Sequence, residues 1–251
     1  MIPSDAKRKY DEDGFVVVSN FLDRESMGTL TTNLDRYIRD VVPHLPPSGA
    51  FFQDRSKPET LKQLQHMDQD PFFDEYRRDE RWNQLAELLI GESVEAQAPE
   101  WFNKPPGTEH PTPPHQDNFY FCLRPANVAT LWLALDVVDE ENGCLRYAVG
   151  SHHRGIRPHA ATSVLGFSQG IADYGPDDFD KEQTILLRPG DLVAHHGETI
   201  LRAEPNRTTA RHRRAFAMVF RGVSCQRDEV AFSRYAENVK QQHEALASKT
   251  S

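Results

Sequence analysis

This chain of 251 residues has fewer basic than acidic residues, and it has few cysteines. There are 29 lysines and arginines against 38 aspartates and glutamates, which gives a formal net charge of −9. This acidic balance argues against a general nucleic-acid binder, because such a protein needs a basic face. The three cysteines, Cys122, Cys144 and Cys225, do not suggest a disulfide framework. We therefore expect a reduced, cytoplasmic setting and no nucleic-acid partner.

The chain also has no long apolar run. No stretch approaches the roughly 18 apolar residues that a membrane-spanning helix needs. Residues 1–14 lack the apolar core of a secretory signal, so we expect no membrane partner. The length suits one large domain, and we predict that residues 1–251 form a single domain. The sequence does not indicate the oligomeric state.

Residues 1–93 are predicted to form a mainly helical N-terminal part. Apolar residues recur there at spacings of three and four, which is typical of amphipathic helices. The predicted elements are a strand at 14–22, a helix capped by Asp23 and ended by Pro43, a loop at 43–56, and helices at about 58–68 and 72–90, the last ending at Gly91.

Residues 94–222 show short β-prone runs separated by turn signals. Many short strands with such turns are typical of a sandwich, barrel or jelly roll. Asn142–Gly143 is a strong hairpin signal. Residues 152–183 have few strand patterns, and we predict that this long segment is a functional lid loop. Residues 228–251 are polar and predict a C-terminal helix and tail.

The stretch HPTPPHQDNFYF contains the first candidate site, because it places His115 and Asp117 two residues apart. Two such residues on a strand point to the same side. Two histidines and one carboxylate, with other positions open, form the ligand set of non-heme Fe(II) oxygenases. A single His–x–Asp is not specific, and a structural role for His115 is the alternative.

A second candidate cluster lies in residues 189–220. His195 and His196 end a predicted strand, and Arg211, Arg213 and Arg214 open the last β run. An arginine on the inner face of a sheet beside a metal would bind a carboxylate in a bidentate manner. A solvated strand end is the alternative for this cluster.

Together these motifs resemble the phytanoyl-CoA dioxygenase family of iron(II)- and 2-oxoglutarate-dependent oxygenases. The resemblance implies a mainly β fold, a cupin-like jelly roll (double-stranded β-helix) with N-terminal helices packed on its outer face. It also implies Fe(II), the cosubstrate 2-oxoglutarate and O₂, which together hydroxylate a small-molecule substrate. The motifs that carry it are DGFVVVSNFLD, NKPPG before HQDNFYF, LWLALDVVDEENGCLRYAVGSHHRG, and PGDLVAHHGETI followed by PNRT and RRAF.

The resemblance implies roles for individual residues. His115 and Asp117 fall on the first two iron ligands, and Arg213 falls on the arginine that pairs with the distal carboxylate of 2-oxoglutarate. Trp132 falls on an aromatic position that lines the cosubstrate pocket, and a core tryptophan is its alternative. Phe119 and Tyr120 are candidates for substrate contacts, and packing is the alternative for both. We interpret Asn142, Gly143, Asn206 and the turn at 150–152 as scaffold.

The expected third iron ligand is missing. The family places a histidine five residues before Asn206, and Leu201, which has no lone pair, occupies that position. On a continuous strand His196 would face the other side. His195 would lie roughly 20 Å away, at about 3.3 Å per residue. We therefore expect neither histidine to replace the ligand.

His212 is also expected to point away from the neighbouring Arg213. Leu201 is then either a natural residue in a degenerate member or a deliberate His→Leu substitution that stops turnover. We favour the substitution, because the rest of the predicted pocket is intact.

Three functions remain open for the scaffold. They are an oxygenase that is active in its parent form, a non-catalytic binding protein that keeps the 2-oxoglutarate pocket, and a cupin-like metal enzyme or isomerase that does not use 2-oxoglutarate. The substrate is not determined, although the acidic charge favours a small metabolite over an acyl-CoA.

Overall fold

The structure is a computed structural model that describes residues 2–162 and 169–247, with side chains up to residue 239. The described residues form seven α-helices and two main β-sheets. The helices are Ala6–Asp13 (α1), Arg24–Asp40 (α2), Pro71–Tyr76 (α3), Glu80–Ile90 (α4), Asp117–Phe121 (α5), Pro176–Phe179 (α6) and Glu229–Ala247 (α7).

The strands are short and spread over most of the chain. They are Phe15–Val18 (β1), Ala50–Phe52 (β2), Leu61–Leu64 (β3), Val94–Ala96 (β4), Glu100–Lys104 (β5), Thr112–His115 (β6), Leu123–Arg124 (β7), Val128–Ala134 (β8), Leu145–Ala148 (β9), His159–Ala161 (β10), Gln169–Ile171 (β11), Glu182–Ile185 (β12), Leu192–His196 (β13), Leu201–Ala203 (β14), Arg213–Gly222 (β15) and Gln226–Arg227 (β16).

Two antiparallel sheets form the framework. The larger sheet has the order β1-β13-β8-β15-β5-β3-β2, with β4 also pairing with β15. The smaller sheet has the order β12-β9-β14-β6. A shared apolar cluster lies between the sheets, with Trp132 and Val193 from the larger sheet and Tyr147 and Leu201 from the smaller one. This arrangement confirms the predicted mainly β jelly roll.

The N-terminal helices cover the outer face of the larger sheet, as predicted. Leu30 and Leu34 of α2 and Trp82 of α4 share one apolar cluster with Phe216 and Met218 of β15. Side chains alternate between the two faces of a strand. Because Phe216 and Met218 of β15 meet the helices, Arg213 belongs to the inner set.

Local sequence signals explain where several helices begin and end. The carboxylate of Asp23 accepts a hydrogen bond from the Ser26 amide at 2.8 Å, so the predicted N-cap of α2 is confirmed. Gly91 ends α4 in the left-handed conformation at φ 88°, where glycine has no Cβ penalty. The C-terminal helix α7 also agrees with the prediction.

Two predicted helices differ from the structure. The predicted helix at 58–68 is wrong, because Leu61–Leu64 pairs with β2 and β5 as a strand. This pairing buries Leu61 and Leu64, which outweighs the helical spacing of the segment. The predicted helix at 72–90 is divided into α3 and α4, because Asp79 caps a new helix by accepting from the Arg81 amide.

The jelly roll also extends beyond the predicted 94–222 segment, because β1, β2 and β3 join the larger sheet. The predicted hairpin at Asn142–Gly143 is wrong. That turn connects β8 in the larger sheet with β9 in the smaller one. The helix α1 was not predicted.

The predicted lid at 152–183 is structured in its described parts, which contain β10, β11 and α6. Its residues 163–168 lie outside the described residues, so the lid function stays a prediction. No helix within 2–162 and 169–247 is long and apolar enough to span a membrane.

Candidate functional site

A cavity of about 330 Å³ opens between the two sheets. Its wall contains six of the seven candidate site residues from the sequence: His115, Asp117, Tyr120, Trp132, Leu201 and Arg213. The imidazole, the carboxylate and the guanidinium therefore converge in one compartment, which the oxygenase interpretation requires.

The local structure around His115 and Asp117 differs from the prediction. His115 ends β6, whereas Asp117 begins helix α5, so the two residues do not share one strand. The Asn118 amide donates to the Gly197 carbonyl at 2.7 Å and anchors the start of α5. The side chains still meet, because Nε2 of His115 lies 3.5 Å from Oδ1 of Asp117.

The Asp117 carboxylate is surrounded by polar groups. Its Oδ2 accepts a hydrogen bond from the Thr130 hydroxyl at 2.6 Å and lies 3.0 Å from Nε2 of His195. Burial by itself would raise the pKa of Asp117, but hydrogen bonds with His115 and His195 hold this pKa below its ordinary value. The carboxylate is therefore the charged centre of a small polar cluster.

The position of His195 corrects the expectation that it lies too far from the site. Strand β13 belongs to the larger sheet and β14 to the smaller one, so residues 197–200 cross between the sheets. Distance along one continuous strand does not apply across this break. His195 consequently points into the cavity with 1% of its surface exposed. His196 points the other way, with its ring centroid 6.0 Å from that of Tyr10.

Tyr147 completes the surroundings of His195. Its hydroxyl oxygen lies 2.9 Å from Nδ1 of His195, while Nε2 of the same ring faces Asp117. Burial raises the pKa of Tyr147 well above its ordinary value, so the phenol stays protonated. The imidazole is thereby held from both sides.

Leu201 presents a hydrocarbon wall to the same cavity. It pairs with His115 on one neighbouring strand and with Tyr147 on the other. Its 7% exposure and its membership of the inter-sheet apolar cluster show that it is packed in place. In the described part of the chain, no three His, Cys, Asp or Glu side chains already surround one metal position. With leucine at position 201, the ligand set that the resemblance implies does not fit an iron ion.

Arg213 is a buried cation on the inner face of β15. It is 5% exposed, and its Nε has no hydrogen-bond partner among the described residues. Its guanidinium carbon lies 5.3 Å from the ring centroid of Trp132, a cation–π distance. Burial lowers the pKa of Arg213 to about 10, which still leaves it charged at neutral pH. Such an arginine is suited to an anionic ligand that enters the cavity.

Two lysines, Lys62 and Lys104, line the cavity near Arg213. Burial lowers the pKa of Lys62 and of Lys104, and the charge of Arg213 lowers both further. Nζ of Lys104 donates to the carbonyl of Glu204 at 2.5 Å. His212 points away from Arg213, as expected, and its Nδ1 lies 3.2 Å from Oδ1 of Asn103.

Glu100 is a cavity residue that the sequence interpretation missed. It lies on β5, accepts a hydrogen bond from Nε2 of Gln63 at 3.2 Å, and lines the same cavity as Asp117. Burial raises the pKa of Glu100 to about 7. The signal was available in the run EWFNK, because alternation places Glu100, Phe102 and Lys104 on one face.

The two candidate substrate contacts have different surroundings. Tyr120 lines the cavity and donates from its hydroxyl to the Gln169 carbonyl at 2.5 Å. Phe119 stacks on His159, with ring centroids 3.9 Å apart. The packing alternative therefore describes Phe119 better than a substrate role.

Comparison with known proteins supports the same family. The chain is 27% identical over 263 residues to the peroxisomal phytanoyl-CoA dioxygenase of Mus musculus, covering 97% of this chain and 75% of the mouse protein. It is 25% identical over 216 residues to the 1-deoxypentalenic acid 11-beta-hydroxylase of Streptomyces arenae, covering 79% of this chain and 73% of that enzyme.

A solved structure shows the same fold. It is EvdO2 from Micromonospora carbonacea var. aurantiaca complexed with 2-oxoglutarate, with a TM-score of 0.72 and 23% identity. The match covers 90% of this chain and 93% of EvdO2. The family model described as phytanoyl-CoA dioxygenase (PhyH) matches residues 10–215. The chain therefore belongs to the phytanoyl-CoA dioxygenase (PhyH) family.

Proposed function

We propose that this protein binds 2-oxoglutarate in the inter-sheet cavity and acts as an Fe(II)- and 2-oxoglutarate-dependent dioxygenase on a small molecule. The observation that carries the proposal is the buried guanidinium of Arg213, whose Nε has no partner among the described residues and which lies in the same cavity as His115 and Asp117. Membership of the PhyH family and the 2-oxoglutarate complex of the EvdO2 fold neighbour support it.

The cavity suits a dicarboxylate at its Arg213 end. A guanidinium can bind one carboxylate through two parallel hydrogen bonds, and this bond is strong where water is excluded. Trp132 lies against the guanidinium and holds it in the cavity wall. Lys62 and Lys104 line the same cavity.

The opposite end of the cavity would hold the metal. His115 and Asp117 are the family positions that still carry donors, whereas Leu201 offers none. A bound iron would supply O₂ activation coupled to the oxidative decarboxylation of 2-oxoglutarate. The residues of this chain would orient the cosubstrate, exclude water and keep Asp117 ionised beside the imidazoles.

The dimensions of the cavity favour a small substrate. A volume of about 330 Å³ lies at the lower end of the range typical of small-molecule sites. Tyr120 and Glu100 are the polar side chains that a substrate would meet near Asp117. We propose hydroxylation of a C–H bond as the reaction, in line with the hydroxylase relative from Streptomyces arenae.

A non-catalytic binding protein is the second candidate function, and Leu201 is the observation that favours it. In that case the cavity binds 2-oxoglutarate or a similar anion without oxidising it. A natural leucine and a deliberate His→Leu substitution are both compatible with this alternative.

Turnover assays distinguish the two candidates. Purified protein is incubated with Fe(II), O₂ and 2-oxoglutarate, and succinate is quantified for the wild-type chain, Leu201→His and Arg213→Gln. A dioxygenase releases succinate in the wild-type chain or in Leu201→His, and Arg213→Gln abolishes the release. Binding of 2-oxoglutarate without succinate from either chain identifies the non-catalytic protein. Activity that does not depend on 2-oxoglutarate or on Arg213 contradicts both and favours another metal enzyme.

A further inference from the structure

We propose that the substrate is a small alkylammonium ion, which binds in the inter-sheet cavity with Glu100 as its counter-ion and aromatic rings around its alkyl groups. The inference names a substrate class for the proposed function and rests on that function for the reaction itself. Because it concerns a binding step, it can be tested without turnover. Glu100 is then a residue that determines substrate specificity.

The first argument is the difference between the two carboxylates that line the cavity in the described part of the chain, Asp117 and Glu100. Asp117 lies within hydrogen-bond distance of Thr130 and His195. Glu100 accepts a hydrogen bond from Nε2 of Gln63 at 3.2 Å, and its other electrostatic neighbour among the described residues is the like charge of Asp117. Glu100 therefore has room for a cationic partner from outside the chain.

The second argument is the position of Glu100 on β5. Glu100 pairs with Ala217 of β15, which pairs on its other side with Trp132. Ala217 also lines the cavity, and its small side chain leaves space beside the carboxylate. Arg213 pairs with Lys104, which lies four residues from Glu100 along β5, or about 13 Å at about 3.3 Å per residue. A ligand at Glu100 therefore need not displace a carboxylate bound by Arg213.

The third argument is the aromatic lining of the cavity. Besides Trp132, the aromatic residues in its wall are Phe51, Phe102, Tyr120, Phe121 and Tyr235. The rings of Tyr120 and Tyr235 are 5.7 Å apart and inclined by 72°, so they present surfaces in different directions. The face of an aromatic ring attracts a cation, and this attraction is strongest where water is excluded. Rings and a carboxylate in one cavity suit an alkylated ammonium ion.

The fourth argument is the cost of placing a carboxyl group at this position. Burial and the charge of Asp117 raise the pKa of Glu100 to about 7, because neither favours the ionised form. An ionisable group with a shifted pKa in a cleft is typical of functional sites. An ammonium ion beside Glu100 would supply the opposite charge that the chain does not provide there.

Choline and its uncharged isostere 3,3-dimethylbutanol test the role of the charge, because the two molecules differ only in the replacement of nitrogen by carbon. Each probe is titrated into the metal-free protein, with and without 2-oxoglutarate, and followed by NMR chemical shifts. The wild-type chain is expected to bind choline roughly tenfold or more tightly than the alcohol. The preference should persist in Glu87→Gln, which changes an exposed carboxylate on α4. In Glu100→Gln it should fall to about twofold or less.

Tyr235 provides a second comparison. It lies on α7, outside the residues 10–215 that the family model matches, and it is only partly buried, so we do not expect its substitution to unfold the chain. Tyr235→Leu removes the ring and is expected to lower the affinity for choline by about threefold or more. Tyr235→Phe keeps the ring and should retain the affinity. Binding of the alcohol should change little in either variant.

Equal affinity for the two probes in the wild type overturns the proposal, as do tighter binding of the alcohol and binding of neither probe. An unchanged preference for choline in Glu100→Gln also overturns it. If 2-oxoglutarate binding depends on Arg213 but choline is not preferred, this inference fails and the proposed function stands. If choline is preferred but 2-oxoglutarate does not bind, the proposed function fails and the ammonium site remains.

Discussion

Leu201 and His115 face each other across the ladder between β14 and β6, so the residue opposite the imidazole is a hydrocarbon. Tyr147 flanks Leu201 on the other neighbouring strand and lies 2.9 Å from His195. Leu201, which cannot bind a metal, therefore pairs with the same tyrosine whose hydroxyl lies next to His195.

Arg213→Gln is expected to weaken 2-oxoglutarate binding by roughly 100-fold or more, because loss of one partner of a buried charge pair costs about 2–5 kcal/mol. Isothermal titration calorimetry measures this loss. The control is Arg214→Gln, which changes the adjacent arginine. Arg214 points out of the sheet and pairs with Asp136 at 2.7 Å.

Comparison of the two arginine variants therefore distinguishes a specific role of Arg213 in binding from a general effect of net charge. Affinity within about twofold of wild type is expected for Arg214→Gln, since exposed ion pairs contribute at most about 1 kcal/mol. An equal loss in both variants would point to net charge as the cause and would remove the argument for a specific carboxylate site.

Glu100→Gln is expected to change the pH dependence of stability. The folded-state pKa of Glu100 is raised by burial to about 7 from an ordinary value of 4.5. The folded protein thus keeps a proton that the unfolded chain releases at lower pH, so stability falls as pH rises from about 4.5 to about 7. The side chain in Glu100→Gln cannot ionise, so the stability of this variant does not fall for this reason as the pH rises.

Urea denaturation at several pH values measures the effect. At pH 8 the variant is expected to be more stable than wild type by about 1–2 kcal/mol. This difference is smaller than the full pKa shift would give, because the carboxyl group keeps some contact with solvent. At pH 4 the two should agree. Glu87→Gln, on the exposed face of α4, is the control and should stay within about 0.5 kcal/mol of wild type at both pH values. A constant difference at every pH would contradict the assignment.

Gly143→Ala is expected to destabilise the protein by about 2–4 kcal/mol. Gly143 has φ +97°, and an added Cβ would lie 2.8 Å from the carbonyl oxygen of Glu204. Thermal or chemical unfolding measures the loss. Gly28→Ala in α2 is the control, because an added Cβ there meets nothing within 4 Å. Alanine favours a helix, so a gain of about 0.5–1 kcal/mol is expected at that position.

Asn206→Ala is expected to cost about 2–3 kcal/mol of folding free energy, because it removes a fully buried amide with several partners. Its Nδ2 donates to the carbonyls of Lys104 at 2.8 Å and Arg211 at 2.7 Å, and its Oδ1 accepts from the Thr208 amide at 3.0 Å. Asn33→Ala removes an exposed bond on α2 and should change stability by less than about 0.5 kcal/mol. Chemical denaturation compares the two, and equal losses would show that Asn206 is not a scaffold residue.

Several features of the protein follow from local sequence. The alternation of RRAFAMVF predicts a two-faced strand, and the structure places Phe216 and Met218 on the helices and Arg213 in the cavity. Asp23 as an N-cap and Gly91 as a C-cap act through their own hydrogen bonds and backbone conformation, which need no distant partner. For this reason the beginning of α2 and the end of α4 were predictable.

The sequence by itself determined which chemical groups are available: an imidazole at 115, a carboxylate at 117, a guanidinium at 213 and no donor at 201. Only the tertiary structure decided that His195 joins them. The alternation of side chains and the rise per residue predict positions only along a continuous strand. They do not apply where residues 197–200 carry the chain from one sheet to the other. The pairing of distant strands determines where such a crossing ends, and pairing depends on burial across the whole domain rather than on neighbouring residues.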